Sequence, residues 1–198
     1  MASDGAQAEK YDPGNVSADI GRDIRAIRQS KGMTLTEMAV KLGRSIGYLS
    51  QVERGISELS TEELRQVADL FGVPLGWFLV LSDVSEAERG YITRAGLRRT
   101  SGDTEGGLAE ELLSPDLSGS FEVIRSIFAP RSKRSRPALR MTEETAYMVS
   151  GMLDIRIGDK KFTVHAGDSF RFKEEEFDWE NNSDEPAVAI WVVSPPIY

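Results

Sequence analysis

Cysteine is absent from the 198 residues, and histidine occurs once, at position 165. The first absence removes disulfides, thiol nucleophiles and thiolate metal sites together. The second leaves any histidine-ligated metal or histidine-based triad with a single imidazole per chain. No apolar run approaches the roughly 18 residues of a membrane span, so no membrane partner is expected. The opening stretch MASDGAQAEKYDPGNVS is polar and acidic, unlike a secretory signal or an Arg-rich transit peptide. Together these absences fit a reducing cytoplasm. What is present is ordinary for a folded protein: 40% hydrophobic residues, with three Trp, five Tyr and eight Phe. The length suits one large domain or two small ones.

The net charge of −8 argues against nucleic acid until its distribution is read. Between Arg22 and Arg54 lie seven basic residues against three acidic ones, whereas the chain from residue 82 onward is acidic. A basic segment joined to an acidic remainder is a pattern of regulators with a separate DNA-binding domain.

Residues 1–16 lack periodicity and carry a DPGN turn, so a flexible arm is expected there. Ile20, Ile24 and Ile27 then mark one face of a helix that starts near Ser17 and ends at Gly32. Thr34 with Glu37, and Ser60 with Glu63, have capping-box spacing and open a second and a fourth helix. Between them Ser45 caps a short third helix that turns Leu49 and Val52 inward. Pro74 suits the first turn of a fifth, PLGWFLV. A polar linker is expected at 82–90. Beyond Tyr91 the pattern changes to short alternating runs between Gly, Asp, Asn and Pro, which predicts antiparallel strands over 91–198.

The stretch MTLTEMAVKLGRSIGYLSQVERGISELSTEELRQVADLFGVPLGWFL resembles the helix-turn-helix domain of phage-repressor-like, XRE-type regulators. The resemblance covers about residues 17–81 and implies a five-helix DNA-binding unit. In such a unit the N-terminal residues of the third helix reach base edges in the major groove. Here those are Ser45, Ile46, Gly47 and Tyr48, with Gln51 one turn on, suited to adenine. Thr34, Leu35 and Lys41 of helix 2, with Arg44 and Arg54 flanking helix 3, complete the expected DNA-contacting set. Leu35 and Gly47 stand where relatives often place polar readers, so direct readout is sparse and DNA shape contributes. Paired half-sites and a homodimer are expected.

The stretch EETAYMVSGMLDIRIGDKKFTVHAGDSFRFKEEEFDWENNSDEPAVAIWVVSPP resembles a cupin, which implies a C-terminal antiparallel β-barrel of the double-stranded β-helix kind. The fold class is therefore two-domain, all-α followed by all-β. At the positions where metal-binding cupins carry histidines stand Ala138, Arg140 and Asp178, with Glu144 kept as the carboxylate. His165 falls in a turn and is expected to be exposed. No metal and no cofactor are expected. Instead Arg140, Glu144 and Asp178 are expected to converge in the barrel mouth, with Arg136 nearby and Ala146, Met148, Phe170 and Phe172 lining the interior. That is either an ion-pair strut or a pocket for a small effector of amino acid, amine or organic acid class.

Three functions follow from these resemblances. The leading one is an effector-responsive transcriptional regulator acting on double-stranded operator DNA, and not an enzyme. The second is an enzyme, because one known mononuclear-iron epoxidase is similar in layout. The third is a DNA-binding protein whose barrel only dimerises.

Overall fold

The computed structural model describes residues 13–80, 84–103 and 105–198. The greater part of the expected arm, 1–12, and positions 81–83 at the expected linker lie outside the described residues. Helix α1 spans Pro13–Ser30, beginning ahead of Ser17, and is followed by α2 (Leu35–Leu42), α3 (Ile46–Glu53), α4 (Thr61–Phe71) and the short α5 (Gly76–Leu79). The capping boxes form at Thr34/Glu37 and Ser60/Glu63, and Gly43 and Gly72 end α2 and α4 in the left-handed region. Pro74 precedes α5, its carbonyl accepting from the Trp77 N–H at 3.0 Å.

Helices α1 and α3 cross at close range because two glycines remove the obstructing side chains. A Cβ on Gly21 would lie 2.2 Å from the Val52 carbonyl oxygen. Gly55, with φ +69°, would put one 2.4 Å from the Ala18 Cα. Around this crossing Ile24, Ile27, Met38, Leu49, Val67, Phe71 and Phe78 form the helical core.

The strands are β1 (Thr100–Ser101), β2 (Leu108–Leu112), β3 (Glu122–Phe128), β4 (Ser132–Lys133), β5 (Ala138–Leu139), β6 (Glu143–Ser150), β7 (Met152–Ile157), β8 (Lys160–His165), β9 (Ser169–Lys173), β10 (Glu176–Asn181) and β11 (Ala187–Ser194). They form two sheets, ordered β1-β2-β3-β11-β6-β9 and β4-β10-β7-β8, with β5 also pairing β10. The expected closed barrel is thus corrected: the sheets are not hydrogen-bonded into one ring. They enclose a shared core instead, with Phe128, Met148, Phe172 and Trp191 from one sheet and Leu153, Ile155, Phe177 and Trp179 from the other.

The two halves share a joint. Leu112, Leu117 and Tyr198 belong to the helical core, and Tyr198 meets Trp77 edge to face at 6.4 Å. Lys31 Nζ donates to the Tyr198 carbonyl at 2.5 Å, and the Trp77 indole donates to the Thr100 carbonyl at 2.8 Å. Arg99, 5% exposed, donates to Asp23 at 2.5 Å and to the Trp77 carbonyl at 3.0 Å. Burial pushes the Asp23 carboxyl up to about 6, outweighing the downward pull of Arg99. Glu122, which accepts from the Ile197 N–H at 3.1 Å, is pushed by burial to about 7.

Two predictions follow from this packing. Gly21→Ala should destabilise the chain by about 1–3 kcal/mol in urea unfolding, since the new methyl meets rigid backbone. Because the folded pKa values of Asp23 and Glu122 exceed their ordinary 3.8 and 4.5, the folded chain keeps protons that the unfolded chain has released. Their stabilising effect is complete below those ordinary values and fades as pH rises through about 6 and 7. The melting temperature should therefore fall between pH 5 and pH 8, and Glu122→Gln, which leaves the Arg99–Asp23 pair intact, should flatten part of that slope. A melting temperature that climbs toward pH 8 would contradict this.

Candidate nucleic-acid interface and sheet-domain interior

Helix α3 is set by its ends. The Ser45 hydroxyl accepts from the Tyr48 N–H at 3.1 Å, and Gly43 turns the chain between α2 and α3 in the left-handed region. Arg28 of α1 grips Glu53 near the end of α3 through two hydrogen bonds of 2.5 and 3.0 Å, and donates to the Met33 carbonyl at 2.8 Å. This side chain braces α1, the turn before α2 and α3 against one another, so it is committed to structure. Near the N-terminus of α3 the brace is Glu63. It accepts from Tyr48 Oη at 3.2 Å and from Arg44 Nε at 3.1 Å while closing the α4 capping box with Ser60. Hydrogen bonds from Ser60, the backbone N–H first, hold the Glu63 carboxyl below its ordinary value.

Of the expected DNA-facing residues, Ser45, Ile46, Gly47 and Gln51 lie exposed on α3 or its cap, and Lys41 is exposed on α2. No ion pair engages Lys41 among the described residues. Gln51 accepts from the Ser57 hydroxyl at 2.9 Å, which orients its amide. Nothing stands within 4 Å of a Cβ built on Gly47, so a side chain fits there. Tyr48, Arg44 and Arg54 have their polar groups tied to Glu58 and Glu63, to Glu63, and to the Ser50 carbonyl respectively. Thr34 is spent on its cap, and Leu35 packs against the helical core. Two features escaped the sequence reading. Val40, 77% exposed on α2, gives no periodic signal because it is apolar on the wrong face. Glu63 is legible as a cap but not as a partner for residues 15 and 19 positions away.

In the sheet domain the structure brings Arg140 and Glu144 together, 3.9 Å apart, with Thr142 Oγ1 donating to Glu144 at 2.7 Å. They line a cavity of about 30 Å³ with Glu110, Arg134, Trp179 and Trp191. Arg134 was not anticipated. It lies at the register position opposite Trp179, its N–H donating to that residue's carbonyl at 3.1 Å. Burial, and then the charge of Arg140, lower its basicity. The Trp179 indole N–H is buried without a partner.

The other expected pocket residues stand elsewhere. Strand β10 turns Phe177 and Trp179 inward, so Asp178 belongs to the outward row, 3.6 Å from Arg156 across the pairing. The expected convergence of Asp178 with Glu144 is corrected by that alternation. Arg136 is exposed in a bend between β4 and β5. Ala146 and Met148 are fully buried, and Phe170 and Phe172 pack with Phe177 and Trp191 at centroid distances of 4.7–6.3 Å. These side chains fill the interior where they were expected to line an open chamber. His165 is exposed at the end of β8.

The donors at the positions where cupins hold a metal do not suit one. Ala138 has no donor atom, Arg140 carries a positive charge beside Glu144, and Asp178 faces away. Among the described residues no group of three His, Asp or Glu side chains is placed to share an ion.

Comparison with known proteins agrees with this division of the chain. A helix-turn-helix family model matches residues 24–78, and a cupin-domain model matches residues 125–193. The transcriptional regulator ClgR of Mycobacterium tuberculosis is 39% identical over 67 residues, which cover 34% of this chain and 58% of that relative. The chain thus matches little more than half of the curated relative's length. Among solved structures, an HTH_3-family transcriptional regulator from Vibrio cholerae superposes over 94% of this chain and 100% of its own, at 18% identity and TM-score 0.44. Hydroxypropylphosphonic acid epoxidase from S. wedmorenis covers 90% and 97%, at 14% and 0.43. The cupin domain of an XRE-family regulator from Enterobacter cloacae covers 46% and 99%, at 22% and 0.41. With all three TM-scores under one half, a regulator and an enzyme superpose equally well, and neither decides function. The chain thus carries one stretch that matches a helix-turn-helix family model and, after it, one that matches a cupin-domain model.

Proposed function

We propose that this chain is a DNA-binding transcriptional regulator, acting as a homodimer on paired half-sites with α3 in the major groove. The observation that carries the reading is the division of labour around α3. Arg28–Glu53 and Glu63 fix the helix from behind, while Ile46, Gly47 and Gln51 are left exposed at its front. A rigidly presented face costs less to order on binding than a mobile one. Gln51 is the base reader in this account, Ile46 an apolar contact suited to a thymine methyl, and Lys41 a phosphate contact.

Effector sensing of an amino acid, amine or organic acid rests on the Arg134, Arg140 and Glu144 cluster. Its cavity of about 30 Å³ has room for about one water. An effector of that size enters only with rearrangement of the interior. The filled interior favours the alternative in which the cupin domain serves as a dimerisation unit.

Fluorescence anisotropy with a selected duplex tests the DNA reading. Gln51→Ala should lose about 1–3 kcal/mol of discrimination between the chosen site and random duplex, roughly 5–150-fold, while salt-dependent non-specific binding persists. Lys41→Ala should weaken binding to every sequence and reduce the salt slope by about 1. Gly47→Gln should fold as well as the parent, since its Cβ meets nothing, yet change the preferred sequence. An affinity indifferent to all three substitutions would refute the assignment of α3.

A further inference from the structure

A groove of about 460 Å³ lies along the joint between the two halves of the molecule, lined by three separate segments. One wall is α1, where Arg22, Arg25, Ala26 and Gln29 fall at i, i+3, i+4 and i+7 and so share one face. The second wall is the turn between β2 and β3, from Leu117 to Gly119, and Pro196 and Tyr198 beyond β11 complete the lining. These walls are held in place. Asp116 Oδ1 accepts from the N–H and the hydroxyl of Ser118 at 2.8 and 2.7 Å. The Ser194 hydroxyl donates to the Ser120 carbonyl at 2.9 Å, and Lys31 holds the Tyr198 main-chain oxygen. Fixed walls lose little freedom when a guest enters.

Volume and position both suit a small ligand. Such sites commonly span about 300–1,000 Å³ and lie preferentially where domains meet. The void in the sheet interior, at about 30 Å³, is far smaller. A depression of about 480 Å³ on the outward side of β10, β7 and β8 has the size, but its charges are largely matched already. There Arg156 pairs with Glu176 and Asp178, and Asp154 accepts from Thr163 and Asn182. A ligand on that sheet would also touch one domain alone.

The charges around the joint groove define its guest. Arg22 is engaged by Asp19 at 3.0 Å, and Arg28, further along α1, by Glu53. Arg25 is exposed and has no ion pair or hydrogen bond among the described residues. No acidic side chain lines the groove, so an amine finds no counter-charge there. With a single unengaged cation, a dicarboxylate leaves one of its charges unpaired. Ala26, Leu117 and Pro196 add apolar surface to the same lining.

We propose that the groove between α1 and the sheet domain binds a monocarboxylic acid with an apolar body, its carboxylate held by two parallel hydrogen bonds from Arg25. The acid touches both domains at once, so its binding favours one placement of α1 against the sheet domain and, through Arg28 and Glu53, of α3. Its role as the regulating effector rests on the DNA-binding reading; the site itself does not.

Titration calorimetry of the full chain without DNA tests the site, with benzoate, phenylacetate and hexanoate as probes. At least one should bind saturably at millimolar concentration, and its neutral amide roughly tenfold more weakly or worse. Arg25→Gln, at an exposed helix position that glutamine suits, should weaken the acid roughly 10–100-fold with a cooperative melt retained. Arg65→Gln, the same charge change on α4, should leave the affinity as it was. Gln29→Trp, filling the groove from an exposed position, should block the acid. Binding by none of the three acids, an amide that binds as tightly as its acid, or binding that survives Arg25→Gln overturns the site. Surviving binding that is then lost with Arg140→Gln puts the acid in the sheet interior instead. Because no DNA is present, those results leave the DNA-binding reading standing. Arg25-dependent binding in a chain that takes up no duplex refutes that reading while the site holds.

Discussion

The contact between Arg99 and Asp23 determines how the two halves of the molecule meet. The two residues are 76 positions apart and both almost fully buried. A guanidinium without its carboxylate in such a place is strongly unfavourable, so the pair admits few alternative placements of α1 against the start of the sheet domain. The same arginine takes the Trp77 carbonyl at the end of the helical domain, and Tyr198 packs on the Trp77 ring. The joint is therefore made of interlocking polar and aromatic contacts, and the last residues of the chain complete the helical core. A change in the sheet domain has a physical route to α1, and through Arg28 and Glu53 to α3.

The two domains have spent their polar residues differently. In the helical domain, arginines and glutamates brace a surface helix from behind and leave its front free. In the sheet domain, Arg134, Arg140, Glu144 and Glu110 are gathered around a small void, and six aromatic rings pack in the remaining space. Ala138, Arg140 and the outward Asp178 supply no metal-donor set, and Arg140 stands 3.9 Å from Glu144. Glu144 is buried, but Arg140 is 36% exposed and 3.9 Å away, so the contact is screened by solvent and worth little. The Arg140–Glu144 contact is thus a constraint on the interior more than a source of stability.

Much of this was legible in the chain, and for identifiable reasons. Capping boxes at Thr34 and Ser60, and glycines at 43 and 72, are local signals, and each forms where its spacing placed it. Strand β2 was not legible, because LAEEL has neither alternation nor β-branched residues and is held in place by its pairing with β3. Asp178 was assigned to the interior by counting along a family pattern. Alternation about Phe177 and Trp179 puts it outside, and a shift of one residue suffices for that error. The Arg99–Asp23 joint and the role of Arg134 depend on contacts between distant segments, which no periodicity reports.

The account stands or falls on whether α3 reads DNA, and selection from a random duplex pool by the purified full chain tests it most directly. Enrichment of an inverted repeat with half-site centres about 10–10.5 bp apart is the result predicted, since two copies of α3 reach the major groove one helical turn apart. Failure to enrich any sequence over the starting pool at low salt would contradict it.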